Sequence, residues 1–324
     1  MTTVQDLPFA AYVVDVAFLG DTAAFALGDG SIRLVSGGTE TRADAHAGAI
    51  LSSARTADGR QLLTGGDDGI VAATDASGAV TRIAERPRKW IDHVASGPGN
   101  AVAFATGRQA TVRFADGRER SLDLPRAAGG IAFAPKGTRL AIARYDGVTL
   151  WWPATEAAPT ALEWKGAHLG VLFSPDGKYV VTTMQDNALH GWRLSDGKDM
   201  RMSGYPSKPR SMSWSARGRF LATSGANAAV VWPFHFKDGP MGKQPLQLGA
   251  REVLVTRVAC HPREEMLAVA YQDGMILAVR FADAEEALMR RPGNGPVSAL
   301  AWDDEGRRLA FGTEEGAGGI IAVG

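Results

Sequence analysis

The sequence has very little cysteine and no excess of charge of either sign. Cys260 is its one cysteine among 324 residues, so no internal disulfide can form, and we expect a reducing compartment. The 35 Lys and Arg residues balance 35 Asp and Glu residues, which removes any overall attraction to nucleic acid or to a membrane surface. These shortages argue against a secreted disulfide scaffold and against a nucleic-acid-binding protein.

Long apolar runs and a targeting segment are also missing. No run approaches the roughly 18 residues that a membrane helix requires. Residues 1–7 carry no basic stretch followed by an apolar one, which is the pattern of a secretion signal. The sequence therefore predicts a cytoplasmic protein without a membrane span. Its richness in Ala, Gly and Arg favours a bacterium with a GC-rich genome as the source.

Glycine is abundant, with 39 residues, and short apolar strands recur along the chain. Six passages share an alternating strand that ends in a polar turn and is followed by a second and a third apolar strand. They are residues 53–59, 131–137, 171–177, 212–218, 258–263 and 300–306, and two divergent copies lie at 14–20 and 91–95. Self-similarity of this kind indicates a repeat architecture.

The interval between the copies predicts the fold. Each copy can be anchored on the last apolar position of its first strand, or on the equivalent residue. The anchors are Phe18, Arg55, Ser96, Phe133, Phe173, Trp214, Cys260 and Trp302, and their spacings are 37, 41, 37, 40, 41, 46 and 42 residues. This period is typical of a four-stranded propeller blade. We therefore predict an all-β fold with one domain over residues 1–324, a β-propeller of eight four-stranded blades. Seven blades, with the third unit degenerate, is the alternative.

The last copy ends on its third strand, at residues 318–323, and lacks a fourth. Residues 2–7 precede the first full copy and are otherwise unassigned. We predict that this N-terminal strand completes the last blade, because closure removes an open sheet edge and joins the two ends of a ring held by neighbour contacts.

The copies resemble the WD-repeat family over essentially the whole chain, best at residues 133–152 and 173–192. The resemblance implies a buried polar set of His, Ser or Thr, Asp and Trp in each blade. His46, Thr64 and Asp68 match the first three positions in the second copy, where Thr74 stands at the Trp position. In the fifth copy Thr182, Asp186 and Trp192 match, but Trp164 stands at the His position.

The residues that could carry chemistry have structural explanations. None of the six histidines pairs with another at metal-ligand spacing, and Cys260 occupies an apolar strand-end position. The Asp-Gly pairs follow the repeat and are typical of turns. We therefore expect no catalytic residue, no metal site, no cofactor and no enzymatic activity. A metal-dependent hydrolase that uses the central channel is the alternative.

Two kinds of loop are candidate partner sites. Connections between blades are basic and aromatic, and Trp, Tyr and Arg are frequent in binding hot spots. The candidates on this face are Arg86, Arg88, Lys89, Trp90, Tyr205, Lys208 and Arg210.

The second kind is an insertion at residues 233–245, which the topology places on the opposite face. It carries Phe234, Phe236 and Met241 among prolines, and long loops of compact domains are often functional. The alternative is that Phe234 and Phe236 cover a blade edge.

The function that follows is a monomeric, non-enzymatic scaffold that binds one or more unidentified proteins. The resemblance extends to stand-alone bacterial WD-repeat proteins, which implies a further alternative, the regulation of a metal-handling GTPase. Neutral charge and the glutamates among the basic loops argue against nucleic acid as the partner.

Overall fold

A computed structural model describes residues 3–323, without the side chain of Thr3; Met1, Thr2 and Gly324 lie outside the described residues. The described chain is almost entirely β-structure, with one short 3₁₀ turn at Pro98–Asn100. The strands are β1 (Thr3–Pro8), β2 (Val13–Leu19), β3 (Thr22–Leu27), β4 (Ser31–Ser36), β5 (Thr39–Asp44), β6 (Ile50–Arg55), β7 (Gln61–Gly66), β8 (Ile70–Asp75), β9 (Val80–Glu85), β10 (His93–Gly97), β11 (Ala101–Thr106), β12 (Gln109–Arg113), β13 (Glu119–Asp123), β14 (Ala128–Phe133), β15 (Leu140–Trp151), β16 (Thr160–Phe173), β17 (Tyr179–Met184), β18 (Leu189–Arg193), β19 (Asp199–Met202), β20 (Met212–Trp214), β21 (Phe220–Thr223), β22 (Ala229–Pro233), β23 (Leu246–Leu248), β24 (Val255–Cys260), β25 (Met266–Tyr271), β26 (Ile276–Arg280), β27 (Glu286–Arg290), β28 (Val297–Trp302), β29 (Arg308–Thr313) and β30 (Ala317–Ala322).

The strands form antiparallel sheets in chain order, as the alternating sequence and the glycine turns predict. Four-stranded sheets are built by β2–β5, β6–β9, β10–β13, β20–β23 and β24–β27, and by β28–β30 together with β1. The remaining sheet has six strands, β14–β19. The all-β propeller with four-stranded blades is confirmed.

The blade number differs from the expected eight. Counted by sheets, the described residues form seven, which is the alternative number. The difference arises where the fourth and fifth copies share the six-stranded sheet, and the degenerate third copy is not involved, because it forms the regular sheet β10–β13.

Two long strands explain the shared sheet. β15 contains the second and third strands of the fourth copy, which meet at Asp146 and Gly147, both with positive φ (64° and 129°). A side chain at position 147 would place its Cβ 2.0 Å from the carbonyl oxygen of Leu162, so only glycine fits. β16 likewise joins two copies, pairing first with β15 and then with β17.

The predicted closure of the last sheet is confirmed. β1 pairs with β30 in antiparallel register, from Thr3 opposite Ala322 to Pro8 opposite Ala317. Phe9 follows the closing strand, is buried, and lies with its ring centroid 4.8 Å from that of Phe25 in the first sheet. Thr2, which we also assigned to this strand, lies outside the described residues.

The core lies between neighbouring sheets. One buried cluster, for example, joins Ala24 and Ile32 of one sheet to Ile50 and Leu62 of the next. The first strands of successive sheets contact one another, as β2 does with both β6 and β28, so these strands surround the centre of the ring.

A bulge recurs in these first strands. The pairing shifts by one residue just before Asp15, Ser52, Gly130, Arg257 and Ala299, and these five residues therefore hold equivalent positions in their sheets.

Candidate interaction surfaces and the central channel

The buried polar set of the second copy is confirmed. His46 Nε2 lies 2.8 Å from Thr64 Oγ1, and His46 Nδ1 lies 3.0 Å from Asp68 Oδ1. Burial alone would raise the pKa of Asp68, but hydrogen bonds from His46 and from two backbone N–H groups outweigh it and lower that pKa. This network fixes the segment that enters the second sheet.

In the fifth copy a different histidine supplies the network. His168, on β16, bonds through Nδ1 to Thr182 Oγ1 (2.8 Å) and through Nε2 to the carbonyl oxygen of Trp164 (2.9 Å). Trp164, at the position of the family's His, stacks on His190 with ring centroids 4.0 Å apart. His190 is fully buried and its ring nitrogens form no hydrogen bond with a described residue, although Asp199 Oδ2 lies 3.4 Å from Nε2. Burial lowers the pKa of His190 to about 4.

The sixth copy uses a tyrosine instead. Tyr205 is 7 % exposed, shares a 2.7 Å hydrogen bond with Thr223 Oγ1, and accepts another from Trp232 Nε1 at 2.7 Å. Burial raises the pKa of Tyr205 to about 12. Tyr205 therefore belongs to the core, which corrects our expectation that it forms part of an exposed partner surface.

In the connection between the second and third sheets, one residue supports the fold and the others are exposed. Arg86 is half-buried, forms a 2.5 Å ion pair with Glu119 of the next sheet, and lies over the ring of Phe104. Arg88 and Lys89 are exposed, and Trp90 is 64 % exposed. A tryptophan this open is unusual, because large aromatic rings are normally at least partly covered.

The connection into the sheet β20–β23 also contains two cations. Lys208 is half-buried and donates a hydrogen bond to Gln185 Oε1 at 2.7 Å. Arg210 is exposed, and within residues 3–323 its guanidinium forms no ion pair.

Both connections lie on one face of the ring, as predicted from topology. Arg86 N donates to the carbonyl of Gly69, and Ser207 N donates to that of Gly225, so each connection borders a turn between second and third strands. We call this the connector face. The loops 86–90 and 205–210 are three repeat copies apart on it, and no hydrogen bond, ion pair or pocket of the described residues joins them.

The insertion at 233–245 lies on the opposite face, which we call the hairpin face, because Phe234 N donates to the carbonyl of Arg219 in a turn between first and second strands. Phe234 is 6 % exposed and packs against Tyr179 and Trp214, with centroids 5.2 and 4.8 Å away. Phe234 is thus a core residue and not an exposed contact. This agrees, for Phe234, with the alternative that the aromatic residues of the insertion cover a blade edge.

Two residues of the insertion remain accessible. Phe236 and Met241 are each 41 % exposed. The Phe236 ring lies tilted by 35° against that of His235, with centroids 4.2 Å apart, and Lys243 Nζ lies 4.4 Å from the Phe236 ring centroid. The insertion is held in place by Arg193, which pairs with Asp238 at 2.9 Å. It is a small anchored patch and offers a limited contact area.

Polar residues at the bulge position line the centre of the ring. The carboxylate of Asp15 accepts hydrogen bonds from the Ser53 hydroxyl and from Val16 N–H, and burial raises its pKa. Arg257 donates from Nε to the carbonyl of Ser298 at 2.6 Å and from Nη1 to that of Thr256 at 3.1 Å. The sequence reasoning missed these channel residues. The signal was a charged residue three positions before an anchor in an otherwise apolar strand.

Cys260 and His261 do not form a nucleophile pair. The Cys260 thiol donates to the carbonyl of Ser213 at 3.4 Å, and burial raises its pKa to about 12. The His261 ring lies 3.0 Å from the carbonyl of Gly306 through Nε2 and accepts backbone N–H groups at Nδ1. In the part of the chain that the structure describes, no three His, Cys, Asp or Glu side chains are grouped to hold a metal ion. Nor does this part hold a helix with the length and apolar character needed to cross a membrane.

Comparison with known proteins places the chain among repeat propellers. No family model matches the sequence. Over 196 residues it is 25 % identical to WD repeat-containing protein 55 of Rattus norvegicus and 24 % identical to that of Homo sapiens. The match covers 58 % of this chain and 50 % of each relative, so the chain matches about half the length of these curated relatives. Among solved structures, the computationally designed Ika8 protein superposes with a TM-score of 0.75 at 17 % identity, covering 98 % of each chain, which shows a likeness of fold.

Proposed function

The chain is a β-propeller of the WD-repeat family, and from that premise we propose that it is a non-enzymatic scaffold whose connector face binds a protein partner. A scaffold role is general among WD-repeat propellers, and the specific surface is our inference from this chain's exposed side chains.

The observation that carries the proposal is Trp90. Its ring is 64 % exposed on a rigid ring of sheets and is preceded by the exposed cations Arg88 and Lys89. Trp and Arg are the residues most enriched in interface hot spots, where a central aromatic side chain fills a pocket of the partner. An exposed tryptophan contributes little to folding, so a binding role is the one that its position on this face supports best.

A second contact, on the hairpin face, is the exposed pair Phe236 and Met241. Both side chains leave part of their apolar surface in water, and the insertion that carries them is longer than a turn requires. We propose that this patch is a smaller contact, used by a second partner or by an extension of the first.

The experiment is an affinity capture from the native host with quantitative mass spectrometry, followed by binding measurements with the purified partner. Trp90→Ala should weaken binding by about tenfold or more, since hot-spot residues contribute about 2 kcal/mol or more. Val80→Ser is the matched control, because Val80 is an exposed apolar residue on β9, outside both loops.

The double variant Phe236→Ser and Met241→Ser tests the hairpin-face contact separately. Unchanged affinity in both this variant and Trp90→Ala would overturn the proposed surfaces. The hydrolase alternative has no donor set behind it among residues 3–323. We further propose that the protein acts as a monomer in the cytoplasm, which size-exclusion chromatography with light scattering and fractionation of the host would test.

A further inference from the structure

We propose that Arg210 and Arg257 form a binding site for a small anionic group, a carboxylate or a phosphate, where a pocket on the connector face meets the central channel.

The two arginines stand at the junction of two cavities. The first, of about 250 Å³, opens on the connector face, and its polar lining includes Ser207, Lys208, Arg210, Thr256, Arg257 and Gln272. The second, of about 470 Å³, lies on the channel side and is also lined by Arg210 and Arg257. The first cavity is many times larger than the roughly 10–15 Å³ that one water molecule needs, which is ample for a phosphate or for a carboxylate with a short stem.

Arg257 is the better fixed of the two. Its bonds to the carbonyls of Ser298 and Thr256 use Nε and Nη1, which sets the plane of the guanidinium and leaves Nη2 without a hydrogen-bond partner among residues 3–323. Carbonyl oxygens carry no full charge, so the positive charge of Arg257 is not neutralised. Burial accordingly lowers its pKa.

The neighbouring carboxylates do not supply the missing negative charge. Asp15 and Glu314 both act on Arg257 through their charge, but neither forms an ion pair with it. Asp15 is already bonded to the Ser53 hydroxyl and to Val16 N–H. Two arginines of the described chain contrast with this, because Arg251 pairs with Glu286 and Arg263 pairs with Glu305.

The connector-face cavity is positive on balance, because Lys208, Arg210 and Arg257 line it against the single carboxylate of Glu314. The channel-side cavity also carries Asp15, Asp303 and Asp304, so the anion is expected on the connector-face side of the two arginines. Arg210 acts on Arg257 as a like charge, so the pocket is lined by two guanidinium groups that disfavour each other's charge. An anion between them would remove this repulsion. Guanidinium forks match carboxylate and phosphate oxygens in geometry, which defines the ligand class.

The anion has two possible sources, a free small molecule or the acidic or phosphorylated side chain of a protein partner. In the second case the inference rests on the proposed scaffold function. In the first it does not, because a free anion needs no protein partner. The probes of the experiment separate the two.

The experiment uses the full chain and titrates inorganic phosphate, N-acetylglutamate amide and N-acetylphosphoserine amide at constant ionic strength, followed by calorimetry and by the shift in melting temperature. We expect saturable binding of at least one probe. Arg257→Gln should weaken it by about tenfold or more and Arg210→Gln by several-fold, since a charged hydrogen bond contributes about 1.5–3 kcal/mol. Arg251→Gln, on the same face but paired with Glu286, is the matched control and should bind as the unaltered chain does.

The outcomes are distinct. Phosphate binding as tight as that of the capped amino acids supports a free anion, and tighter binding of a capped amino acid supports a partner's side chain. No saturable binding of any probe, or equal binding by the Arg251 and Arg257 variants, overturns the site. Arg257→Lys keeps the charge without the fork and serves if the glutamine variant does not fold. It should retain weakened binding.

Neither result depends on the Trp90 surface. Loss of partner binding in Trp90→Ala with no anion binding would retain the scaffold and reject the pocket. Anion binding without any protein partner would do the reverse.

Discussion

Loops 86–90 and 205–210 look alike in sequence and are used in opposite ways. Each places an aromatic residue among cations on the connector face. Trp90 projects into solvent, whereas Tyr205 is buried under hydrogen bonds to Thr223 and Trp232. Local composition therefore does not decide whether an aromatic loop residue is a contact or a part of the core.

Position within the repeat decides it. His46, Arg86, Trp164 and Tyr205 each lie thirteen residues before a glycine of the turn between first and second strands, at positions 59, 99, 177 and 218. The structure turns all four toward the protein, through hydrogen bonds, an ion pair or ring stacking. Trp90 lies four residues after this position, where the chain is open to solvent. The four residues differ in type but share a structural role.

Both loops are carried by the closed ring of sheets, and opening this ring should lower the stability more than any change within either loop. Deleting residues 1–10 removes β1 and the buried Phe9, and exposes the edge of β30. We expect the melting temperature to fall by about 10 °C or more. Adding a synthetic peptide of residues 1–10 should restore part of the loss. An unchanged melting curve would contradict the closure.

The next largest effect should come from Tyr205. Tyr205→Ala leaves a cavity, removes the hydrogen-bond acceptor of Trp232 Nε1 and leaves Thr223 Oγ1 with only the carbonyl of Val230, and should lower the free energy of unfolding by about 3–5 kcal/mol. Tyr205→Phe removes the hydroxyl alone and should lower it by about 1–3 kcal/mol. Urea denaturation measures both. If the phenylalanine variant is as stable as the unaltered chain, the hydroxyl network is unimportant.

In the fifth copy, the dependence of stability on pH tests the role of His190, on which Trp164 stacks. Its pKa is about 4 in the folded protein, against an ordinary value of 6.5, so the folded state disfavours its proton. The part of the free energy of unfolding that depends on neutral His190 is present in full above pH 6.5. It is lost as the pH falls toward 4, by an amount on the order of 2 kcal/mol.

Urea unfolding at pH 7.5 and pH 4.5 checks this expectation. His190→Phe should keep the stacking on Trp164 and reduce the difference between the two pH values. The remaining difference belongs in part to His93 and His168, whose pKa values burial also lowers. An equal difference in the His190 variant would exclude this residue as a source.

The smallest effect on stability should be at Trp90. Because its ring is mostly in solvent, Trp90→Ala should change the free energy of unfolding by no more than about 0.5 kcal/mol. Denaturation beside Tyr205→Ala measures the contrast directly. A loss as large as that of the tyrosine variant would mean that Trp90 supports the fold, and the comparison of the two loops would fail.

The repeat period was enough to predict the all-β propeller and the closing role of the N-terminal strand, because both follow from spacing along one chain. The shared sheet was not predictable in this way, since it depends on the backbone angles at Asp146 and Gly147. The burial of Phe234 depends on Tyr179 and Trp214, each from a different strand.

The anion pocket was missed for a similar reason. Arg210 and Arg257 are 47 residues apart and meet only when two neighbouring copies are placed side by side. The burial of Tyr205, in contrast, could have been read from its alignment with His46.

The pairing of β1 with β30 also has a consequence for the order of events during synthesis. Thr3–Pro8 are translated before the other described strands, and their partners, Ala317–Ala322, follow 309 to 319 residues later. Until then the first strand has no sheet to join, and the growing ring carries an open edge at both ends. Completion of the circle is thus postponed until its farthest strand has been translated, so a nascent chain interrupted anywhere earlier presents two unpaired edges to the quality-control machinery of the cell.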